Sequence, residues 1–396
     1  MATEVFWISF LTSSLKKNPY SAKRRIGHGL FYFSVAVSAA DFTDFANGQG
    51  HGYKRAAGAS YEYHAGGPAL RCGRGLQRSF IRKIDMIYNE LGKTGMRLSN
   101  LGFGASSLGG VFHDIREAEG IRAVHVAVEN GINFIDVSPY YGYLKAEQVL
   151  GKALRDIPRG QYYLSTKVGR YGKDGHNHWD YSGRRAKESV YESMERLGVD
   201  YIDIINVHDV EFADLHQVVG ETLPALVELR EEGVVRHVGI TDLQPENLKW
   251  VIEHAAPGTV ESVLSFCHYC LNDELLTEYL DFFEANGVGV INASPFSMGL
   301  LSQRGAPDWH PAPQSLKDAC RKAAEYCAAH DYPIEKLALQ YSTALNPRIA
   351  TTLFSSANPQ NVLKNIEYVN APYDAALAQA VQEIIGDQMR VRWKNT

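Results

Sequence analysis

Strand-like and helix-like patterns alternate along most of this chain, and this alternation limits the possible folds more than any other feature. A first apolar strand ends near Gly104, and further strand patterns lie at 132–137, 162–167, 201–207, 235–240, 261–266, 288–293 and 349–354. Helical patterns lie at 117–130, 145–155, 184–198, 220–232, 245–255, 273–286 and 315–345, and we expect the last to break at Pro333. A strand followed by a helix, repeated eight times over roughly 300 residues, is typical of a closed parallel barrel. The sequence therefore predicts an α/β fold, a (β/α)8 TIM barrel.

The first 85 residues differ in charge from the rest of the chain. They contain 12 Lys and Arg against 5 Asp and Glu, whereas the remaining residues contain 28 against 40. Such asymmetry is typical of a basic tail attached to an acidic domain. We predict a disordered N-terminal extension over 1–85 and a barrel domain over 86–396, which opens with a hairpin turning at 92–95. The extension has three open interpretations: a targeting segment, a folded module, or a mis-assigned translation start with Met86 as the first residue of the domain.

Composition excludes several classes of protein. With 45% hydrophobic and 21% charged residues, the 396-residue chain can bury a large core and is not disordered throughout. The acidic domain is a poor candidate for nucleic-acid binding. No apolar run reaches 18 residues, so we predict no membrane-spanning helix. Five thinly spread cysteines fit a reducing compartment, and we predict a cytoplasmic protein unless residues 1–85 direct it to an organelle.

Four titratable residues are predicted to meet above the barrel. Asp136 stands at the end of the strand INFIDV, and Tyr141 lies in the loop just after it. Lys167 closes the strand YYLSTK, and His208 follows the strand YIDIINV. In a (β/α)8 barrel the carboxyl ends of the strands and the loops after them form the active face, so these four side chains should converge there.

This combination of side chains suits proton transfer. A tyrosine, with a pKa of about 10, holds its proton too tightly to act as a base near neutrality, and an adjacent Lys167 ammonium lowers that pKa. Asp136 supplies the counter-charge that keeps a buried lysine protonated. His208 can hydrogen-bond a substrate oxygen and position it near the phenol. Together they can move one proton on and off a carbinol or carbonyl oxygen, but a hydride requires a redox cofactor.

The segments FIDVSPYYG, LSTKVG and IINVHD resemble the Asp, Tyr, Lys and His tetrad of the aldo-keto reductases, nicotinamide-dependent oxidoreductases built on a (β/α)8 barrel. The resemblance extends from about Tyr88 to about Ile366. Within that family, ELGKTGMRLSNLGFGASSLGGVF, HDVEF, LSFCHYCLND, ASPFSMGLLS and PDWHPA are similar to segments of the plant-type L-galactose dehydrogenases. Those enzymes oxidise the anomeric carbon of L-galactose to the 1,4-lactone with NAD, a step toward ascorbate. The resemblance implies Tyr141 as the proton acceptor, the Lys167 and Asp136 pair as its tuning groups, and His208 as the orienting group.

The resemblance also implies a set of cofactor contacts. Thr241 and Asp242 match positions that usually hold Ser and Asn and contact the nicotinamide amide, although both residue types are also favoured helix caps. Phe266 stands where a glutamine is usual, and Ala293 stands where many members place a stacking tyrosine. The implied contacts are Thr241, Asp242, Phe266, Ser294, Pro295, Phe296, Ser297, Met298, Gly299, Leu300, Ser355, Ser356, Asn361 and Asn365.

The segment after the eighth strand bears on the choice between NAD and NADP. Members of the family that prefer NADP place Lys or Arg there, around the 2′-phosphate. Here the segment reads FSSANPQNVLKN, with Lys364 as its only basic residue, further along the helix. Without two or more cations, desolvating a phosphate dianion is unfavourable. We therefore predict NAD.

The predicted activity is that of an NAD-dependent aldose 1-dehydrogenase, with L-galactose as the favoured substrate. Residues of the top loops, Tyr140, His113, Trp179 and Trp309, are predicted sugar contacts, with ordinary loop packing as the alternative for each. Two other activities stay open: an NADPH-dependent carbonyl reductase, and a nicotinamide-binding regulatory subunit of a channel. Both a monomer and a dimer fit the sequence.

Three further motifs have a structural interpretation. The glycines of LGFGASSLGG lack the third glycine of a dinucleotide-binding fingerprint, and we interpret them as a barrel loop. GKTG lacks the rest of a phosphate loop and is predicted to be a hairpin turn. Cys267 and Cys270 have the spacing of a redox pair or half a zinc site, but no second pair exists, so we predict barrel packing and no metal.

Overall fold

The computed structural model describes residues 86–111, 114–172 and 179–394. The predictions for residues 1–85 and for His113 therefore lie outside the described residues. An antiparallel hairpin, β1 (Tyr88–Glu90) and β2 (Arg97–Ser99), opens the described chain. Its turn contains Gly92 at φ +50° and Gly95 at φ +76°, so the GKTG segment is the predicted hairpin turn.

Eight parallel strands close into one barrel, as the sequence predicted. They are β3 (Leu101–Gly104), β4 (Phe134–Asp136), β5 (Tyr163–Val168), β6 (Ile202–Val207), β7 (Val235–Asp242), β8 (Ser262–Phe266), β9 (Gly289–Ala293) and β10 (Ile349–Ser355). Each strand pairs with the next in the chain, and β10 pairs with both β9 and β3, so the described barrel has no open edge. Such closure places all eight carboxyl ends on one face.

Helices lie on the outside of the barrel. They are α1 (Glu117–Glu129), α2 (Lys145–Leu154), α3 (Gly183–Leu197), α4 (Leu223–Glu231), α5 (Pro245–His254), α6 (Leu280–Ala285), α7 (Gln314–Ala329), α8 (Ile334–Ala344), α9 (Pro359–Asn370) and α10 (Ala375–Ile385). Of these, α1 to α8 connect successive strands, and α9 and α10 follow β10. The predicted break at Pro333 is confirmed, because α7 ends at Ala329 and α8 begins one residue after the proline. The sequence patterns did not predict α10.

Two predicted helices are less regular than expected. The segment before α4 is a single turn, Leu215–Gln217, that runs into a π-helical stretch, Val218–Thr222. The segment before α6 is a 3-10 helix, Leu275–Tyr279. Within the described part of the chain, none of the helices has the length and apolar character needed to cross a bilayer.

The interior of the barrel is filled from below by the hairpin. Leu91, Met96 and Leu98 pack with Phe134 and Ile204 in one buried cluster. A Cβ on Gly92 would lie 2.4 Å from the backbone nitrogen of Gly289, so the hairpin approaches the start of β9 as closely as backbone allows. The amino end of the barrel is therefore closed, and access to its interior is from the carboxyl face.

Alternation along β5 determines which side chains reach that face. Leu164 and Val168 belong to buried clusters that the outer helices share. Ser165 and Lys167 point the other way, into the barrel, where both hydrogen-bond Asp136 of the neighbouring strand. The period of two in a strand thus places a hydroxyl and an ammonium in the interior of a barrel whose other layers are mostly apolar.

Candidate active site

A buried ion pair joins the ends of β4 and β5. Lys167 Nζ donates to Asp136 Oδ2 at 2.5 Å and to the Val137 carbonyl at 2.8 Å. The Lys167 side chain is 1% exposed and the Asp136 side chain 4%. Because water cannot solvate either charge, each depends on the other and on these hydrogen bonds. Two of the three ammonium protons are therefore committed, and the third can face the barrel mouth.

Tyr141 stands over this pair. The Lys167 Nζ lies 4.9 Å from the centroid of the Tyr141 ring. The ring also meets the His208 ring edge-on, with centroids 5.7 Å apart and planes at 89°. The four predicted side chains thus lie together at the carboxyl face, where Tyr141 contacts both Lys167 and His208.

Two glycines bring the Tyr141 loop down to this position. Gly142 has φ +60°, and a Cβ on it would lie 2.2 Å from the Gly109 carbonyl oxygen. A Cβ on Gly109 would lie 2.7 Å from the Tyr141 carbonyl oxygen. The loops after β3 and β4 therefore pack backbone against backbone. The predicted barrel loop is confirmed for Gly109 and Gly110, whereas Gly102 and Gly104 lie within β3.

The pKa of Tyr141 corrects one prediction. Burial raises the pKa of Tyr141 above its ordinary value of 10.0, and the nearby Lys167 ammonium only partly offsets that rise. The lysine acts in the predicted direction, but the expectation of a net lowering is wrong for the protein alone, because burial disfavours the phenolate more strongly. Burial also lowers the pKa of Lys167, but the Asp136 carboxylate and Tyr141 more than compensate and raise it overall. The resting site therefore holds a phenol beside an ammonium.

His208 is neutral in this environment. Its side chain is buried, and burial together with the Arg170 and Lys167 cations holds the pKa of the imidazole well below 6.5. Its Nδ1 lies 3.0 Å from the Ser138 hydroxyl oxygen. A neutral imidazole with one nitrogen engaged in this way can present the other nitrogen to a ligand oxygen.

A second ion pair, which the sequence patterns did not predict, lies beside His208. Arg170, two residues after β5 ends, pairs with Asp209. The guanidinium carbon lies 3.9 Å from the ring centroid of Tyr140, 4.2 Å from that of Trp179 and 4.7 Å from that of Phe212. We call these five residues the arginine cluster. It offers a cationic donor framed by three aromatic faces at the rim of the mouth.

A signal for the arginine cluster was present in the sequence. Arg170 follows Lys167 in LSTKVGR, and Asp209 follows His208 directly. The rule that polar residues after strand ends face the mouth applies to both. Asp209 has φ +42°, and this left-handed turn, which the sequence does not reveal, directs its carboxylate back to the mouth.

Comparison with known proteins agrees with this geometry. The family model described as Aldo/keto reductase family matches residues 100–385. The chain belongs to the aldo-keto reductase family. It is accordingly an oxidoreductase, and the family uses a nicotinamide cofactor.

Several relatives of this aldo-keto reductase are similar over most of the barrel. L-galactose dehydrogenase of Arabidopsis thaliana is 45% identical over 289 residues, which are 72% of this chain and 88% of that protein. D-threo-aldose 1-dehydrogenase of a Pseudomonas species is 29% identical, over 72% of this chain and 93% of that protein. A solved aldo-keto reductase of Bacillus halodurans, in its holo form, superposes with a TM-score of 0.65 at 30% identity, covering 78% of this chain and 100% of that one.

Two segments suited to a dinucleotide lie side by side at the ends of β9 and β10. The strands are neighbours, with Ala293 opposite Leu353, and Ser294 N donates to the Leu353 carbonyl at 3.3 Å. The loop after β9 contains the predicted contacts Ser294, Pro295, Phe296, Ser297, Met298, Gly299 and Leu300. Phe266 and Ala293, partly buried, pack on the interior cluster at the ends of β8 and β9.

The loop after β9 holds an uncommon backbone conformation. Ser294, Ser297 and Met298 have φ of +58°, +47° and +53°, a region that non-glycine residues seldom adopt. Each such residue costs on the order of 1–3 kcal/mol and persists only when its surroundings hold it. The structure of this loop is therefore imposed by its neighbours.

Side chains from two neighbouring segments hold that loop. The Cys270 thiol donates to the Ser294 carbonyl at 3.2 Å, and Asn272 Nδ2 donates to the Ser297 hydroxyl oxygen at 3.2 Å. His310 Nε2 lies 3.2 Å from the Ser297 carbonyl oxygen. These contacts fix the loop before any ligand binds.

The second segment is the start of α9. Ser355 accepts from Ser107 N at 2.9 Å and donates to the Ser107 hydroxyl at 2.8 Å. Asn358 caps α9 by accepting from Gln360 N at 2.9 Å. Ser356 precedes the helix, Asn361 lies in its first turn and Asn365 lies one turn further along. Hydroxyl groups and a helix N-terminus favour phosphate oxygens, so the residues present fit a dinucleotide that carries two phosphates.

Thr241 and Asp242 have partners that differ from those of helix-capping residues, and their contact with a nicotinamide amide stays a prediction. Thr241 Oγ1 accepts from Asp209 N at 2.8 Å and donates to Asp209 Oδ1 at 3.1 Å, so it supports the arginine cluster and caps no helix. Asp242 Oδ1 accepts from Gln244 N at 2.7 Å, which shapes the turn before α5, although Gln244 is the N-cap. The expectation that both residues cap the helix is wrong.

Burial changes what Asp242 can do. It raises the pKa of the Asp242 carboxyl to about 8. A carboxyl that keeps its proton near neutrality offers both a donor and an acceptor, as an asparagine does. Asp242 could therefore both donate to and accept from a nicotinamide amide.

The other predicted contacts are distributed over the mouth and its rim. Tyr140 and Trp179 lie together in the arginine cluster, with ring centroids 6.3 Å apart. Trp309 is 57% exposed and stacks on His310, near the loop after β9. The role of Trp309 in substrate binding stays a prediction.

Cys267 and Cys270 are buried free thiols, as are Cys320 and Cys327. Burial raises the pKa of Cys267 to about 12 and raises that of Cys270 well above 9.0. A thiol with such a pKa is a poor nucleophile and metal ligand, which fits the predicted packing role. Among the described residues, no group of three or more His, Cys, Asp or Glu side chains is arranged to hold a metal ion.

Proposed function

We propose that this aldo-keto reductase is an NAD-dependent aldose 1-dehydrogenase that oxidises L-galactose at its anomeric carbon to the 1,4-lactone, a step toward ascorbate. The observation that carries the proposal is the buried Asp136–Lys167 pair directly beneath Tyr141. It provides a phenol that can exchange a proton with a sugar hydroxyl at the only described open end of the barrel. The 45% identity to an L-galactose dehydrogenase supports the choice of sugar.

The cofactor would lie along the loop after β9 and the start of α9. When bound, NAD accepts the hydride that leaves the anomeric carbon. The hydroxyls of Ser294, Ser297 and Ser356 and the first turn of α9 are the groups of this chain suited to its phosphates. Thr241 and Asp242 would face its carboxamide from the end of β7.

Tyr141 would carry the proton. For oxidation the Tyr141 phenol first releases its own proton through the open mouth of the barrel, and the adjacent Lys167 ammonium stabilises the resulting phenolate. The anomeric hydroxyl then gives its proton to this phenolate. Asp136 keeps the ammonium charged and in place. In the opposite direction the same phenol donates its proton to a carbonyl oxygen.

His208 and the arginine cluster would orient the sugar. The neutral His208 imidazole can hydrogen-bond the reacting oxygen, so that the hydroxyl proton points at Tyr141. The Arg170 guanidinium and the rings of Tyr140 and Trp179 suit a polyhydroxylated ring, because they combine donors with flat apolar faces.

The surroundings of α9 support NAD over NADP. Lys364 is the one basic residue in the described segment 355–365, and its ammonium lies 5.3 Å from the centroid of the Tyr368 ring, one turn further along the helix. The lysine is thus drawn away from the helix start. A 2′-phosphate there would lack the cations that offset its desolvation.

A second candidate function is carbonyl reduction with NADPH. One observation favours it: the raised pKa of Tyr141 keeps the phenol protonated, ready to donate to a carbonyl oxygen. The absence of a cation cluster in the segment 355–365 argues against NADPH. The regulatory-subunit alternative has no such supporting observation.

A sugar panel with both cofactors tests the proposal. Initial rates would be read at 340 nm for L-galactose, L-fucose, D-arabinose and L-gulose, each with NAD and with NADP at matched concentration. We expect the highest kcat/KM for L-galactose with NAD. Turnover of the other sugars without turnover of L-galactose would reject the proposed substrate, and equal or better rates with NADP would reject the proposed cofactor.

Oligomeric state and cytoplasmic localisation stay predictions.

A further inference from the structure

Two buried polar side chains lie beneath the ion pair and have no role in the chemistry described so far. The Ser165 hydroxyl donates to Asp136 Oδ1 at 2.8 Å, and Asn206 Nδ2 donates to the Ser165 oxygen at 2.9 Å. Both residues are fully buried. Burying an amide and a hydroxyl in a barrel interior is costly unless they are hydrogen-bonded. Two linked polar side chains in this position therefore need an explanation.

The donor and acceptor of each of these two hydrogen bonds are fixed by the protons available. The Asn206 amide nitrogen can only donate, so the Ser165 oxygen must accept from it. A serine hydroxyl has a single proton, and this proton is left to bond Asp136. Since Lys167 occupies Oδ2 of Asp136, both carboxylate oxygens are held, one from each side.

The barrel is built to accommodate Asn206. Asn206 on β6 is in register with Lys167 on β5 and with Gly239 on β7. A Cβ on Gly239 would lie 2.3 Å from Asn206 Oδ1 and 2.5 Å from the Ser262 hydroxyl. The glycine therefore leaves the space that the amide occupies, and any larger residue at 239 would displace it.

We propose that Ser165 and Asn206 are positioning residues that hold the Asp136 carboxylate in the orientation that aims the Lys167 ammonium at Tyr141. The inference rests on the proposed proton-transfer role of Tyr141. The ammonium has two fixed acceptors, Asp136 Oδ2 and the Val137 carbonyl, and its remaining proton faces the phenol. If the carboxylate turns, the ammonium follows it and stabilises the phenolate less.

Other charged groups also influence the phenol. Besides burial, the Asp209 carboxylate, from the segment after β6, raises the pKa of Tyr141. The neutral His208 ring from the same segment contacts the Tyr141 ring, and Arg170, from the segment after β5, pairs with Asp209. In the described structure, Asp136 is the only charged group that hydrogen-bonds Ser165. Substitutions at Ser165 and Asn206 therefore leave the other charges in place, and their effect on the pH dependence reports the Asp136–Lys167 pair.

The test is the pH dependence of sugar oxidation, read as kcat/KM for the best sugar of the panel. In Ser165→Ala we expect the rate to fall about tenfold and the midpoint of its rise with pH to move upward by about half a unit, with KM for NAD unchanged. Ser165→Thr keeps a hydroxyl and should restore the parent midpoint. Asn206→Leu removes the amide but leaves Ser165 in place, and it should shift the midpoint in the same direction by less.

A double-mutant cycle tests whether Asn206 and Ser165 act together. Because Asn206 acts only through Ser165, the variant Ser165→Ala/Asn206→Leu should shift the midpoint no further than Ser165→Ala alone. Ser193→Ala is the matched control: Ser193 is an equally buried serine on α3, bonded to Arg196 at 3.1 Å, outside the barrel. It should leave the pH profile unchanged.

Two outcomes would overturn the inference: an unshifted midpoint in both Ser165→Ala and Asn206→Leu, or additive shifts in the double variant. Tyr141→Phe separates this failure from failure of the proposed function. If Tyr141→Phe is inactive while the Ser165 and Asn206 variants keep the parent midpoint, only the positioning role is rejected. If Tyr141→Phe keeps its turnover, the proton-transfer function is rejected as well.

Discussion

The buried pair of Asp136 and Lys167 serves chemistry at the expense of stability. Taking two charges out of water costs several kcal/mol per ion, and the attraction between them repays this cost only when the geometry is good. An apolar pair of similar volume would stabilise the barrel at least as well. The presence of the ion pair is explained by its chemistry, because an ammonium beneath a phenol assists proton transfer and an apolar pair cannot.

The desolvation cost of the buried ion pair predicts how substitutions at Asp136 and Lys167 affect stability. Lys167→Met leaves the buried Asp136 carboxylate without its counter-ion and should lower the free energy of unfolding by about 3–5 kcal/mol, with turnover lost. Asp136→Asn/Lys167→Met removes both charges and should regain most of that stability, without turnover. Denaturant unfolding measures both values. Lys152→Met, which breaks the exposed pair with Glu117, is the control and should change stability by less than about 1 kcal/mol. A double variant no more stable than Lys167→Met would contradict this account.

Asp242 gives a second prediction, in which the size of the stability change depends on pH. Burial raises the pKa of its carboxyl from 3.8 to about 8 in the folded protein. Its contribution to stability is therefore fully present below pH 3.8 and is lost as the pH rises through about 8. Asp242→Asn removes this loss, so its stability advantage over the parent should be larger at pH 9 than at pH 5, on the order of 1 kcal/mol or more. An advantage that is constant across this range would show that ionisation of Asp242 is not the cause.

At the scale of elements, the contact between α2 and α3 determines where the Tyr141 loop lies. The helix α2 begins four residues after Tyr141 and packs on α3 through Gly151. A Cβ on Gly151 would lie 2.1 Å from the Arg196 carbonyl oxygen, which belongs to the rigid backbone of α3. The two helices can approach this closely only with a glycine at 151.

Gly151→Ala should therefore push α2 away from α3. We expect a loss of about 1–3 kcal/mol in the free energy of unfolding, together with reduced turnover, because the Tyr141 loop moves with the helix. Gly160→Ala is the matched control, since a Cβ there meets nothing within 4 Å. Thermal and denaturant unfolding of both variants would check this. Equal stability of the two variants would mean that the helices can separate without cost.

At the scale of the whole molecule, the sequence predicted the architecture because the pattern is periodic. Alternation of strand and helix signals predicts a barrel, and the barrel places Asp136, Lys167 and His208 at one face. Tyr141 follows from its position just after a strand. No side-chain contact had to be known for any of these predictions.

Features that depend on three-dimensional contact could not be predicted in this way. The net rise in the pKa of Tyr141 follows from burial, whose extent one sequence does not give. The bond from Asn206 to Ser165 depends on the register of β5 against β6, and the ion pair of Arg170 depends on the left-handed backbone of Asp209. These are properties of strand register and loop conformation, which apolar periodicity does not encode.

The central claim is that the phenol of Tyr141 carries the proton in this oxidoreductase. It is tested most directly by measuring, for Tyr141→Phe and the parent side by side, turnover of the best sugar and affinity for NAD by fluorescence titration. The account predicts NAD affinity close to that of the parent and turnover lower by about 10²–10⁴-fold, because only the proton carrier is lost. Turnover close to that of the parent, with NAD affinity also retained, would contradict it.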